Sequence, residues 1–116
     1  MAIQIIKEAI DRKELQEIAE EEFGTIVKAV VDVEQGIMAV GGELHADEEV
    51  LLMEQEGSKR QHTWGINLYL DKPEEDFIEF DSMINLKPAF GNRTRGVADS
   101  GVRAKIEEII KKLIAE

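Results

Sequence analysis

The spacing of apolar positions changes several times along the chain, and each change marks an expected element. Ile3, Ile5 and Ile6 form a short apolar run that predicts a strand. Asp11, with Glu14 three residues on, has the pattern of a capping box. Leu15, Ile18, Ala19 and Phe23 then recur at helical spacing opposite an acidic face, and Gly24 supplies a left-handed stop, so a half-buried helix is expected up to Phe23. From Thr25 the chain becomes β-branched. Residues 26–33 predict a strand, Glu34-Gln35-Gly36 a turn, and residues 37–40 the second strand of a hairpin.

Residues 44–55 fit two periods. Asp47-Glu48-Glu49 ahead of Val50-Leu51-Leu52-Met53 can open a short helix or lie extended, and the strand is the preferred reading. Turn chemistry at 57–61 precedes a strand over 64–70, in which Trp64, Ile66, Leu68 and Leu70 share the core face. Residues 77–87 alternate most cleanly. Ile78, Phe80, Ser82, Ile84 and Leu86 point one way, and Phe77, Glu79, Asp81, Met83, Asn85 and Lys87 the other. Pro88 ends that strand, a loop covers 89–98, and Asp99 caps a last helix with the apolar stripe Val102, Ile106, Ile109, Ile110 and Leu113. The sum is a single α+β domain over residues 1–116, an antiparallel β-meander sheet packed by an N-terminal and a C-terminal helix.

Size and charge narrow the function classes. A chain of 116 residues buries roughly two-thirds of its unfolded surface, enough for one core. The 25 acidic and 14 basic side chains give a net charge of -11, which disfavours nucleic acid and anionic membranes as partners. The absence of cysteine removes disulfides, thiolate nucleophiles, cysteine zinc sites and iron–sulfur clusters, and fits a reducing compartment. No basic leader with an apolar run opens the chain, and no stretch approaches the ~20 apolar residues of a membrane span. A cytoplasmic protein with no membrane partner is expected.

Three constellations can carry chemistry. On a strand, His45, Asp47 and Glu49 would project from one face at ~7 Å intervals, an oxygen-rich row suited to Mg²⁺, Ca²⁺ or Mn²⁺. On a helix, His45 and Glu49 would still meet while Asp47 turned away; the ordinary alternative is a solvated acidic edge. Glu79, Asp81 and Asn85 form a second polar row, which Asn67 and Tyr69 can join from a neighbouring strand. The basic loop Gly91-Asn92-Arg93-Thr94-Arg95-Gly96 can hold a small anion through Asn92, Arg93 and Arg95, although it matches no P-loop or dinucleotide pattern; otherwise its arginines pair with the chain's own carboxylates. Trp64 reads as a core anchor and His62 as a turn residue, while Ser58 and Ser82 lack a nucleophile's setting.

The strings Val31-Asp32-Val33-Glu34, Gly41-Gly42-Glu43-Leu44-His45-Ala46-Asp47, Trp64-Gly65-Ile66-Asn67, Phe80-Asp81-Ser82-Met83-Ile84-Asn85 and Gly91-Asn92-Arg93 resemble, over nearly the whole chain, a small prokaryotic family classified as a domain of unknown function. The resemblance implies a stand-alone archaeal or bacterial protein and brings no activity with it. Lys87 stands where that family's pattern has arginine, which removes a bidentate grip on carboxylate or phosphate, and Glu56 lengthens the turn at Gly57.

The residues therefore predict a small-ligand or divalent-cation binding module that uses a polar sheet face and a Gly/Arg loop. Two other classes stay open. One is a metal-dependent hydrolase or phosphodiesterase, with Asp47, Glu49, Glu79 or Asp81 on the ion and Arg93 or Arg95 on a phosphate. The other is a protein-interaction module paired through a strand edge or a helix face.

Overall fold

The structure is a computed structural model that describes residues 2–115. In chain order its elements are β1 (Gln4–Ile6), β2 (Ile10–Asp11), α1 (Arg12–Glu22), β3 (Ile26–Asp32), β4 (Ile37–Val40), α2 (His45–Glu56), β5 (Thr63–Tyr69), β6 (Ile78–Glu79), α3 (Ser100–Leu113) and β7 (Ile114–Ala115). Short 3₁₀ turns lie between β5 and α3 at Glu74–Asp76, Met83–Asn85 and Pro88–Phe90. The helix starts follow the expected chemistry. The Asp11 carboxylate accepts the Glu14 N–H at 2.8 Å, and Asp99 accepts from Gly101 and Val102. Gly24, at φ 86°, lets the chain leave α1.

Five strands form one antiparallel sheet in the order β1-β4-β3-β5-β6, while β2 and β7 form a separate parallel pair. The α+β class stands, but the sheet is not a simple meander. Only β3–β4 and β5–β6 are neighbours both in sequence and in the sheet. The other two connections, β1–α1–β3 and β4–α2–β5, each step over one strand and join parallel partners. Both steps run in the same direction across the sheet, yet they leave strands of opposite polarity. A right-handed crossover then requires α1 and α2 on opposite faces.

That is where they lie. One face carries Val27, Ala29, Val31, Met38, Val40, Trp64, Ile66 and Leu68 against Leu15, Ile18 and Ala19 of α1 and Ile106, Ile110 and Leu113 of α3. The other carries Val30, Ile37 and Ala39 against Leu52 of α2 and Ile84. The central strand β3 is thus paired along both edges and covered on both faces, which is why it reads as a continuous β-branched run.

Two sequence expectations are corrected. Residues 44–55 are helical, not extended, because β3 and β4 each already have two strand neighbours while the second sheet face needs a cover. The helix was hard to recognise because its buried side is His45, Glu48, Glu49 and Leu52, whereas Val50 and Met53 face solvent. Residues 77–87 do not form one strand. Only Ile78 and Glu79 pair with β5, after which Ser82 Oγ accepts the Ile84 N–H and the chain coils into 3₁₀ turns. The alternation there comes from unrelated contacts: Phe77 belongs to the first core and Ile84 to the second.

Gly65 on β5 sets how closely these layers meet. A Cβ there would stand 2.5 Å from Ser82 Oγ, 2.6 Å from Ser82 Cβ and 3.1 Å from the His45 ring. Gly65→Ala is therefore expected to cost about 1–3 kcal/mol through overpacking. Urea unfolding checks this: the midpoint falls with an unchanged denaturant slope, and an unshifted midpoint contradicts the packing account.

Candidate functional site

Alternation along β3 places Lys28 on the α2 face, and the register sets it beside Asn67 of β5, which in turn pairs with Glu79 of β6. Tyr69, two residues beyond Asn67, shares that face beside Ile26. The start of α2 brings His45 over the same ground, and the segment after β6 contributes Asp81 to Ile84. Together with Phe23 and Arg95 these residues enclose a groove of about 420 Å³, within the size range of small-molecule sites.

Hydrogen bonds fix its polar wall. Glu79 Oε1 accepts from Asn67 Nδ2 and from the Tyr69 hydroxyl, both at 2.8 Å. Asn67 Nδ2 also donates to the Asp81 carbonyl at 3.3 Å. Arg95 Nε pairs with Asp81 Oδ1 at 2.8 Å on the rim. Phe23, Leu44 and Met83, all exposed, and Ile26 make the apolar side. The larger groove of the molecule, about 830 Å³ between α3 and the start of α1, is lined by charges of both signs around Phe77, including the Lys111–Glu74 pair at 3.8 Å.

Burial sets the charge states around the smaller groove. His45 lies below the ordinary imidazole value of 6.5, chiefly because desolvation penalises the cation, with the bond to the Ile66 carbonyl opposing. Its Nε2 is 2.8 Å from Ile66 O. A carbonyl only accepts, so Nε2 carries the ring proton. The Tyr69 hydroxyl is pushed up first by its bond to Glu79. Glu48, one turn behind His45, is fully buried, and desolvation raises its carboxyl from 4.5 to about 9 despite an N–H from Gly42. Lys28 is half-buried, 5.6 Å from the centre of the Phe23 ring, and makes no ion pair with any described residue.

The structure gathers some predicted residues and disperses others. His45, Asn67, Tyr69, Asp81 and Arg95 line the groove, and Glu79 braces it. The row of His45, Asp47 and Glu49 does not form. On a helix, Asp47 is exposed, while Glu49 turns to the Thr63 hydroxyl at 2.6 Å and Arg60 at 3.1 Å. Among the described residues no three histidine, aspartate or glutamate side chains gather where they could hold an ion.

Asn85 and Asn92 are buried braces. Asn85 accepts from Gly65 N–H and donates to Gly65 and Arg95 carbonyls at 2.8–3.0 Å. Asn92 spans the basic loop, donating to the carbonyls of Asn85, Thr94 and Gly96 and accepting from Ala98. Arg93 is exposed. Lys87 is buried 4.1 Å over the Trp64 ring with its ammonium on the Arg60 and Thr63 carbonyls, and burial, then Arg60, lowers it to about 8. Lys28 was missed by sequence reasoning. Its signal was the only charge interrupting the apolar run from 26 to 31.

The fold and groove together define a small α+β domain, helices on both sheet faces, with a groove beside the start of α2. The chain belongs to the DUF5674 family, described as a protein of unknown function, whose model matches residues 4–113. No curated protein and no solved structure matches it. No helix among the described residues is long and apolar enough to cross a membrane.

Glu48 gives a test of the electrostatics beneath the groove. Because its folded value of about 9 lies above its ordinary 4.5, the folded state holds a proton that the unfolded chain releases. The contribution is complete below 4.5, declines as pH rises, and is gone above about 9. Glu48→Gln keeps an acceptor for Gly42 without titrating, so thermal melts at pH 5, 7 and 9 should show a smaller fall in Tm than the parent. Parallel pH profiles would contradict the assignment.

Proposed function

We propose that this chain is a small-ligand binding module, and that the groove takes a compact ligand bearing an anionic group. The observation that carries the reading is Lys28. In a chain with a net charge of -11, the ammonium of this half-buried residue has no carboxylate partner among the described residues. Its buried neighbours do not neutralise it. Glu48 is protonated at neutral pH and His45 is uncharged. A lysine in a groove with no carboxylate partner offers a bound anion a charge-assisted contact at short range.

Arg95 is already paired with Asp81, so it serves as a rim that can open toward a ligand. The chain's excess negative charge weakens long-range attraction, but it is screened beyond ~8 Å at physiological salt, whereas the local contact is not. Phe23, Leu44 and Met83 give the ligand an apolar surface. A metal-dependent hydrolase needs three converging ligands, and the dispersal of His45, Asp47 and Glu49 leaves that reading without an observation in its favour.

A two-dimensional amide NMR titration with inorganic phosphate and short carboxylates tests the proposal. Saturable shifts are expected at Phe23, Lys28, His45, Asn67 and Tyr69. Lys28→Met should weaken binding at least about tenfold, the scale of one charge-assisted contact, with the remaining spectrum unchanged. Absence of shifts at millimolar ligand, or equal binding by Lys28→Met, overturns it.

A further inference from the structure

His45 lies between two acceptors. Its ring packs against Gly65, where a Cβ would stand 3.1 Å from it. Nε2 is 2.8 Å from the Ile66 carbonyl, which leaves Nδ1 for the ring's other hydrogen-bonding neighbour, the Asn67 side chain. Asn67 can only accept there, because its Nδ2 is committed to the Glu79 carboxylate and the Asp81 carbonyl. A neutral imidazole has one N–H for these two acceptors, and an imidazolium has two. With the ring neutral, Asn67 Oδ1 is buried without a donor among the described residues. A proton on Nδ1 completes the set.

Every element around the ring contributes a charged or titratable group. β3 brings Lys28, β5 the Tyr69 hydroxyl, β6 Glu79 behind Asn67, and the following segment Asp81 with Arg95 paired to it. On α2 itself Glu48 is protonated at neutral pH, Asp47 is exposed, and Glu49 is held by Thr63 and Arg60. Burial, then Lys28, opposes a proton on His45, while the Ile66 carbonyl, Asp81 and Asn67 favour one. An anion seated on Lys28 offsets the opposing charge and attracts an imidazolium. Resting on the anion-binding reading above, we infer that His45 is a proton-operated switch of the anion site. The imidazolium, held by the Ile66 carbonyl and the Asn67 amide oxygen, adds a second positive charge beside Lys28. The groove therefore takes up a proton with its anion and binds anions more tightly in acid.

Sulfate, whose charge is constant over the range, is the probe. Calorimetry on the full chain should show affinity at least about tenfold higher at pH 5 than at pH 7.5. Coupling is reciprocal, so the titration midpoint of the His45 ring protons, followed by NMR with His62 as the reference signal, should rise under saturating sulfate by the matching factor. Carboxylates near the groove also gain protons in acid, and His45→Gln separates the two causes: in this variant the ratio of affinities between the two pH values should largely vanish. If the variant does not fold, the ring titration of the parent chain decides. Equal sulfate binding at both pH values, a His45 midpoint that sulfate leaves in place, or a full acid gain in His45→Gln overturns the switch and leaves the anion site standing. No sulfate binding at either pH overturns both.

Discussion

Everything in this fold follows from the position of β3. The strand is hydrogen-bonded along both edges, to β4 and β5, and its residues from Ala29 to Asp32 are buried on both faces. Such a strand cannot be stable under a single layer of helices, because half its side chains would remain in water. Two crossovers of the same hand solve this, one helix to each face. The constraint explains why a segment with a polar inward face becomes α2, and why α1 and α3 share the other side.

A helix that covers a sheet with His45, Glu48 and Glu49 must satisfy those groups. Glu49 does so through Thr63 and Arg60, whose guanidinium also reaches the Ile84 and Leu86 carbonyls. His45 uses a strand carbonyl. Asp32, at the far end of β3, gathers the N–H groups of Glu34 and Gln35 with the Ser58 hydroxyl, tying the β3–β4 turn to the end of α2. Asn85 and Asn92 hold the segment after β6 in the same manner, side-chain amide to backbone. That segment then serves as a wall, even though little of it is regular structure.

The groove is what remains where this compensation stops. Around it the acids are braced or paired, Glu48 is held neutral by burial, and His45 is uncharged. Lys28 makes no ion pair with a described residue, and Asn67 Oδ1 is buried without a donor. Elsewhere in the second core, buried polar groups find partners, with Glu48 Oε1 a further exception beneath the same helix.

The sequence by itself determined the α+β class, the β3–β4 hairpin, the strand at β5 and both capped terminal helices. Those features rest on local chemistry: Asp11 and Asp99 at helix starts, Gly24 at a stop, and apolar stripes of clear period. It also marked His45, Asn67, Tyr69, Asp81 and Arg95 as chemically able residues. Tertiary structure alone decided that they meet, that Asn85 and Asn92 are braces, and that Lys28 is their companion. Strand order, the helical state of residues 45–56 and the coiling after Glu79 depend on which faces remain uncovered once β3 is in place. That is a property of the whole assembly, and no spacing within a single segment records it.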